Sequence, residues 1–142
     1  MKRCKDVMTS DPACCLPDDT VDKVAKLMKK EDVGPIPVVE DMRTKRLIGI
    51  VTDRDLVVKV IAEGKDPSSA PVKAVMTSDP VTCFAKDEVE VAMDAMAGHQ
   101  IRRIPVVDES NCVIGIIAQS DVATKTRDKE KTAEVLEEIS KP

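Results

Sequence analysis

The stretch Ile36–Asp55 reads IPVVEDMRTKRLIGIVTDRD, and its pattern returns later as IPVV at 104–107 and GIIAQSD at 115–121. It holds two apolar, β-branched runs, Ile36–Val39 and Leu47–Thr52, separated by a charged connection. Such runs bounded by turn chemistry predict two strands joined as a hairpin. The second run ends in Gly49-Ile50-Val51-Thr52-Asp53-Arg54-Asp55, where hydrophobicity stops and oxygen-bearing side chains begin. A strand feeding a helix is where α/β proteins often place binding groups.

Working outward, VMTSDP at residues 7–12 recurs unchanged at 75–80, an offset of 68. Cys15/Cys83, Asp19/Asp87, Val21/Val89 and Met28/Met96 keep that offset, and Gly34-Pro35 is answered by Arg102-Arg103. Past the first hairpin strand the offset falls to 66, aligning Gly49/Gly115, Ile50/Ile116 and Asp55/Asp121. The first hairpin loop is therefore two residues longer. A length change confined to a loop is what a duplicated fold should show.

Each copy predicts strand, helix, strand, strand, helix. In the first, Ala13–Leu16 reads as a short strand and Pro17-Asp18-Asp19 as a turn and N-cap. Val21, Val24, Ala25, Leu27 and Met28 recur at helical spacing while Lys23, Lys26, Lys29 and Lys30 face water. Val33-Gly34-Pro35 should end that helix, and a second should run from Asp53 to about Ala62 through Leu56, Val57, Val60 and Ile61. The second copy predicts a strand near Val81–Phe84, a helix from about Asp87 to Ala97, strands at Arg103–Val107 and Val113–Ala118, and a helix from Gln119.

The turn-rich EGKDPSSAP at 63–71 marks the joint. The division expected is 1–66 for repeat 1, 67–126 for repeat 2, and 127–142 for a tail whose apolar spacing over 128–140 suggests an amphipathic helix. The fold class is α+β, two β-α-β-β-α repeats with pseudo-twofold symmetry. A unit of about 60 residues leaves an apolar face uncovered, so the halves are expected to cover each other and enclose two equivalent clefts.

Composition narrows the function. Apolar residues make up 42% and charged residues 34%, too apolar for a disordered chain. No run approaches the roughly 20 apolar residues of a membrane helix, and the basic start MKRCKDVMTSDP has no apolar run behind it. A cytoplasmic protein is expected. The net charge of −4 argues against phosphate-neutralising nucleic-acid binding. Residues 1–66 carry 13 basic and 13 acidic groups, leaving 9 and 13 for residues 67–142. Between Lys86 and Lys125 only Arg102 and Arg103 are lysine or arginine, a pair that could hold an anion or pair with nearby carboxylates.

Five cysteines with no CxxC, and one histidine, His99, give little material for a zinc cage. Reduced thiols are expected, with Cys15 and Cys83 as matching core positions and the vicinal Cys14-Cys15 pair as a redox alternative. No Ser/His/Asp or Cys/His set and no P-loop supports an enzyme.

With two VMTSDP openings, two IPVV strands, and the endings GIVTDRD and GIIAQSD, the chain resembles a tandem pair of CBS domains, a Bateman module, over about residues 1–126. It is similar to small stand-alone prokaryotic pairs of the hypoxic-response type. The resemblance implies binding of AMP, ADP, ATP or a related adenosyl compound in clefts between the repeats. Asp55 and Asp121 would then bond ribose hydroxyls and Thr52 would help hold phosphate, with Arg54 beside them. Ala118 replaces the second hydroxyl, and Arg102 and Arg103 stand where the family places phosphate-meeting cations. Adenine would lie against Ala13, Ile36, Pro37, Val38, Val81, Ile104, Pro105 and Val106. The resemblance also implies a homodimer, no required cofactor, and an unidentified regulated protein as partner. The competing reading is a ligand-free interaction module acting through dimerisation.

Overall fold

A computed structural model describes residues 2–125 and 137–140. It divides into two compact units, Pro12–Pro80 and Met1–Asp11 with Val81–Pro142. The sequence period and the compact units are thus different divisions. Residues 2–11 pack with the second hairpin, and residues 67–80 with the first.

In chain order the elements are α1 (Cys4–Val7), β1 (Thr9–Ser10), α2 (Val21–Glu31), β2 (Pro35–Val39), β3 (Leu47–Thr52) and α3 (Asp53–Leu56). A π-helical turn, Val57–Ile61, continues α3, and a 3-10 turn covers Val72–Ala74. Then come β4 (Thr77–Ser78), β5 (Cys83–Phe84), α4 (Val89–His99), β6 (Arg103–Val107), β7 (Val113–Ala118) and α5 (Gln119–Lys125).

The 12–80 unit holds an antiparallel sheet ordered β2-β3-β4, and the other unit a sheet ordered β1-β7-β6-β5. Each threonine-serine pair of a VMTSDP opening becomes an edge strand. Thr77 and Ser78 pair with Ile50 and Gly49, as Thr9 and Ser10 pair with Ile116 and Gly115. The edge segment crosses close over a glycine in both sheets. A Cβ on Gly49 would lie 2.5 Å from Met76 Sδ and 3.0 Å from the Thr77 carbonyl, and one on Gly115 would meet the Met8 side chain. That close approach is why glycine stands there.

Backbone detail repeats as faithfully as sequence. Among the described residues six non-glycine residues have positive φ, and they fall into three equivalent pairs: Asp11/Asp79, Asp32/Gln100 and Lys45/Asn111. Asp32 and Gln100, at φ 54° and 52°, are left-handed C-caps whose N–H groups close α2 and α4. Helix α2 therefore stops before Val33-Gly34-Pro35, because the αL residue has already reversed the chain. Asp19 and Asp87 each accept from the backbone N–H three residues earlier, Leu16 and Phe84, both at 2.9 Å.

Several expected elements come out differently: β5 keeps only Cys83–Phe84 of the expected Val81–Phe84, and α4 runs Val89–His99 where about Asp87 to Ala97 was expected. Ala13–Leu16 shrinks to one parallel bridge, Cys15 to Val38, where the second copy forms β5. The helix after β3 turns π-helical, leaving Leu56 and Val60 buried but Val57 and Ile61 exposed. On α2, Val21, Val24 and Met28 are buried while Ala25 is exposed. The expected tail helix lies largely outside the described residues, although Ile139 is buried in the second unit's core.

Each unit has its own core. One gathers Cys15, Val21, Val24, Met28, Ile36, Val38 and Val51. The other gathers Cys83, Val89, Met93, Met96, Ile104, Val106 and Ile117, with Cys4 and Val7. Burial, then the nearby Asp19 carboxylate, pushes the Cys15 thiol up to about 12, so it stays protonated and apolar. The neighbouring Cys4 thiol, together with burial, pushes the Cys83 thiol up.

Candidate functional site

Strand β3 delivers Thr52 in an extended conformation (φ −118°, ψ 164°), and the chain turns at once into α3. Thr52 and Asp55 form a reciprocal capping box there. The Asp55 N–H donates to Thr52 Oγ1 at 3.3 Å, while the Thr52 N–H and hydroxyl donate to Asp55 Oδ2 at 2.9 and 3.1 Å. Lys59, one turn on, meets Asp55 Oδ1 at 3.1 Å and donates to the Val75 carbonyl at 3.1 Å. The half-buried carboxylate, its side chain 16% exposed, is therefore fixed on both oxygens. Arg54 is exposed beside it.

The second unit repeats half of this. The Ala118 N–H donates to Asp121 Oδ2 at 2.8 Å, but Ala118 has no hydroxyl to complete the box. Cations stand nearby instead. Arg103 is paired in register with Ala118, and the Arg102 carbonyl accepts from the Gln119 N–H at 2.8 Å. In the 12–80 unit the same places are taken by Pro35, in register with Thr52, and Gly34, whose carbonyl accepts from Asp53 at 3.0 Å. Each unit thus collects a different polar set around the same junction. One has hydroxyl, carboxylate and ammonium; the other has the carboxylate, with the backbone of Arg102 and Arg103 beside it.

The apolar candidates divide by exposure. Ile36, Val38, Ile104 and Val106 are fully buried core, and Pro37 and Pro105 are buried beside them in β2 and β6. Ala13, Val81 and Ala118 are only partly buried and can be reached from solvent. Sequence reasoning missed Lys59. Its signal was available, since lysine stands four residues after the motif aspartate in both copies, Asp55/Lys59 and Asp121/Lys125. Among the described residues no cluster of three or more His, Cys, Asp or Glu side chains could hold a metal, and no helix is long and apolar enough to cross a membrane.

Comparison with known proteins bears on the family and the fold. The CBS domain family matches residues 4–62 and again 72–127. The chain is 39% identical over 140 residues to the CBS domain-containing protein YhcV of Bacillus subtilis, covering 99% of this chain and 96% of that one. It is 31% identical over 123 residues to Hypoxic response protein 1 of Mycobacterium tuberculosis, covering 87% and 84%. Among solved structures, CBSX2 in complex with AMP superposes with a TM-score of 0.74 at 26% identity, covering 87% of this chain and 94% of that one. The CBS domain pair of MJ0100, in complex with 5-methylthioadenosine and S-adenosyl-L-methionine, gives 0.76 at 26%, covering 86% and 97%. With two matched segments spanning nearly its whole length, the chain belongs to the CBS domain family as a tandem pair.

Proposed function

We propose that the protein is a regulatory module that binds an adenosine-containing ligand, AMP, ADP, ATP or a related adenosyl compound, and passes its binding state to a partner protein. One observation carries this reading. Asp55 is held on the end of β3 by the Thr52 N–H and hydroxyl, and Asp121 takes the equivalent place after β7. A carboxylate fixed at a strand-to-helix junction can accept both hydroxyls of a ribose diol. Thr52 and the basic pair Arg102–Arg103 would meet phosphate oxygens, in keeping with the AMP and S-adenosylmethionine complexes of the structural relatives. The role is regulatory rather than catalytic, and the working form is a homodimer in the cytoplasm.

The test is thermal unfolding with AMP, ADP, ATP, S-adenosylmethionine and NAD in turn. At 100 times its dissociation constant a ligand adds about 2.7 kcal/mol of apparent stability. Asp55→Asn, which keeps the shape of the side chain, should reduce the shift in folded protein. No shift with any of the five at millimolar concentration would remove the proposal.

A further inference from the structure

A cavity of about 350 Å³ opens beside α2, away from the Thr52–Asp55 junction in its lining residues. We propose that it is a second site, taking a small anion with an apolar body, of which a medium-chain carboxylate is the simplest example. Its volume falls within the roughly 300–1,000 Å³ range of small-molecule pockets. The buried thiols Cys14 and Cys15 line it together with Val24 and Leu27 of α2. Met42, 48% exposed in the hairpin loop, lines it as well, an unbranched and adaptable side chain suited to closing over ligands of varied shape.

The rim is basic. Lys23, Lys26 and Lys30 all line the cavity, spaced three and four residues apart on one face of α2 and spanning about 10 Å along its axis. Their methylene stems extend the apolar wall while the ammonium groups reach water. Against these three lysines stands one lining carboxylate, Asp19, leaving two positive charges in excess. Asp19 is already committed, with Oδ1 on Lys23 Nζ at 3.0 Å and Oδ2 on the Leu16 N–H at 2.9 Å.

The duplication supplies the control. At an offset of 68 the three lysines become Val91, Asp94 and Gly98, while the Asp19 turn is kept as Asp87. The repeat fold therefore does not require cations on this helix face. Met42 likewise belongs to the hairpin loop that is two residues longer in the first copy. The basic rim and the adaptable closing side chain are thus features of one copy, set beside an apolar wall whose Cys15, Leu16, Val24 and Leu27 have apolar counterparts in the other. This inference is independent of the adenosine reading.

The test titrates sodium dodecanoate, below its micelle-forming concentration, into the full chain and follows backbone amide NMR shifts. Dodecyltrimethylammonium and decanol serve as cationic and neutral controls, and AMP is titrated into parallel samples. Expected are saturable shifts confined to residues 14–30 and the 40–46 loop, and at least about tenfold weaker binding in Lys26→Glu/Lys30→Glu, with any AMP response unchanged. Should the charge-reversed protein fail to fold, Lys26→Gln/Lys30→Gln carries the same comparison. No saturable binding, shifts spread over both units, equal affinity for the cation, or unaltered affinity in both variants would overturn the site. Absence of an AMP response in the unaltered protein would count only against the adenosine reading, whereas its loss in the lysine variants alone would overturn the separateness of the two sites.

Discussion

Helices α2 and α4 occupy equivalent places in the two copies, yet they meet different surroundings. Helix α2, VDKVAKLMKKE, is amphipathic, with Ala25 and four lysines in water. Helix α4, VEVAMDAMAGH, buries Met93 and Met96 completely, and Met93 stands where α2 has Ala25. The difference follows the cover each helix receives. The core containing Met93 also takes in Ile139 from near the chain's end, and the α2 core has no such addition among the described residues. A helix open to water keeps its polar side; one enclosed further can be apolar nearly all round.

The largest effect should separate these two helices. Met93→Ala empties a fully buried position and should cost about 2–5 kcal/mol, whereas Ala25→Met at the exposed counterpart should stay within about 0.5 kcal/mol. Urea unfolding of the two variants checks this. Equal losses would mean that the surroundings of α2 and α4 are not the cause.

The next comparison sets the two edge crossings against each other. Gly49→Ala would press a methyl group against both Met76 and the Thr77 backbone carbonyl; at Gly115 the nearest atoms it would meet all belong to the Met8 side chain. A flexible methionine can move aside, but a carbonyl in a strand ladder cannot do so without losing register. Gly49→Ala should therefore cost about 1–3 kcal/mol and Gly115→Ala less, read from denaturation midpoints.

Most of the fold was legible because the duplication was. Strands β3, β6 and β7 lie within their expected bounds, and β2 gains only Pro35. Helix ends were harder to read. Asp32 and Gln100 adopt left-handed backbone with nothing in their identity to announce it, while Gly34 and Pro35 look like stop signals and come too late. The exchange of edge strands was hidden for a similar reason. VMTSDP reads as the start of its own repeat, and only through-space pairing shows that its threonine and serine complete the other hairpin. At the site, Thr52, Asp55 and Asp121 could be read from their position after an apolar run. That Ile36 and Ile104 have no exposed surface is a matter of packing, which strand periodicity alone cannot rank.

The unequal junctions give a smaller prediction. Thr52→Ala removes a cap that the second unit already lacks, and should cost about 1 kcal/mol. Ala118→Thr should restore part of that amount, because the Ala118 N–H already donates to Asp121 Oδ2 in the geometry of the complete box. Calorimetric melting of the two single variants and the double variant checks both signs. A destabilising Ala118→Thr would show that the two junctions differ in more than one hydroxyl.

The smallest effect concerns Lys59, the group that distinguishes a fixed Asp55 from a merely capped one. Its side chain is 45% exposed, so its pair with Asp55 is screened by solvent, and Lys59→Met should cost no more than about 0.5 kcal/mol. The loss should shrink further at high salt, since the methionine retains most of the apolar stem and only the charge is removed. The consequence for binding should be larger than that for stability. Lys59 holds Asp55 Oδ1 while Thr52 holds Oδ2, and it also reaches the Val75 carbonyl at the start of the segment leading into β4. Without it the carboxylate keeps its cap but can swing about that single anchored oxygen. An adenosine ligand that needs both oxygens should then bind more weakly to a protein of nearly unchanged melting temperature. Equal weakening by Lys59→Met and by Lys65→Met, an exposed lysine outside the cluster, would reduce Lys59 to a contribution of general charge.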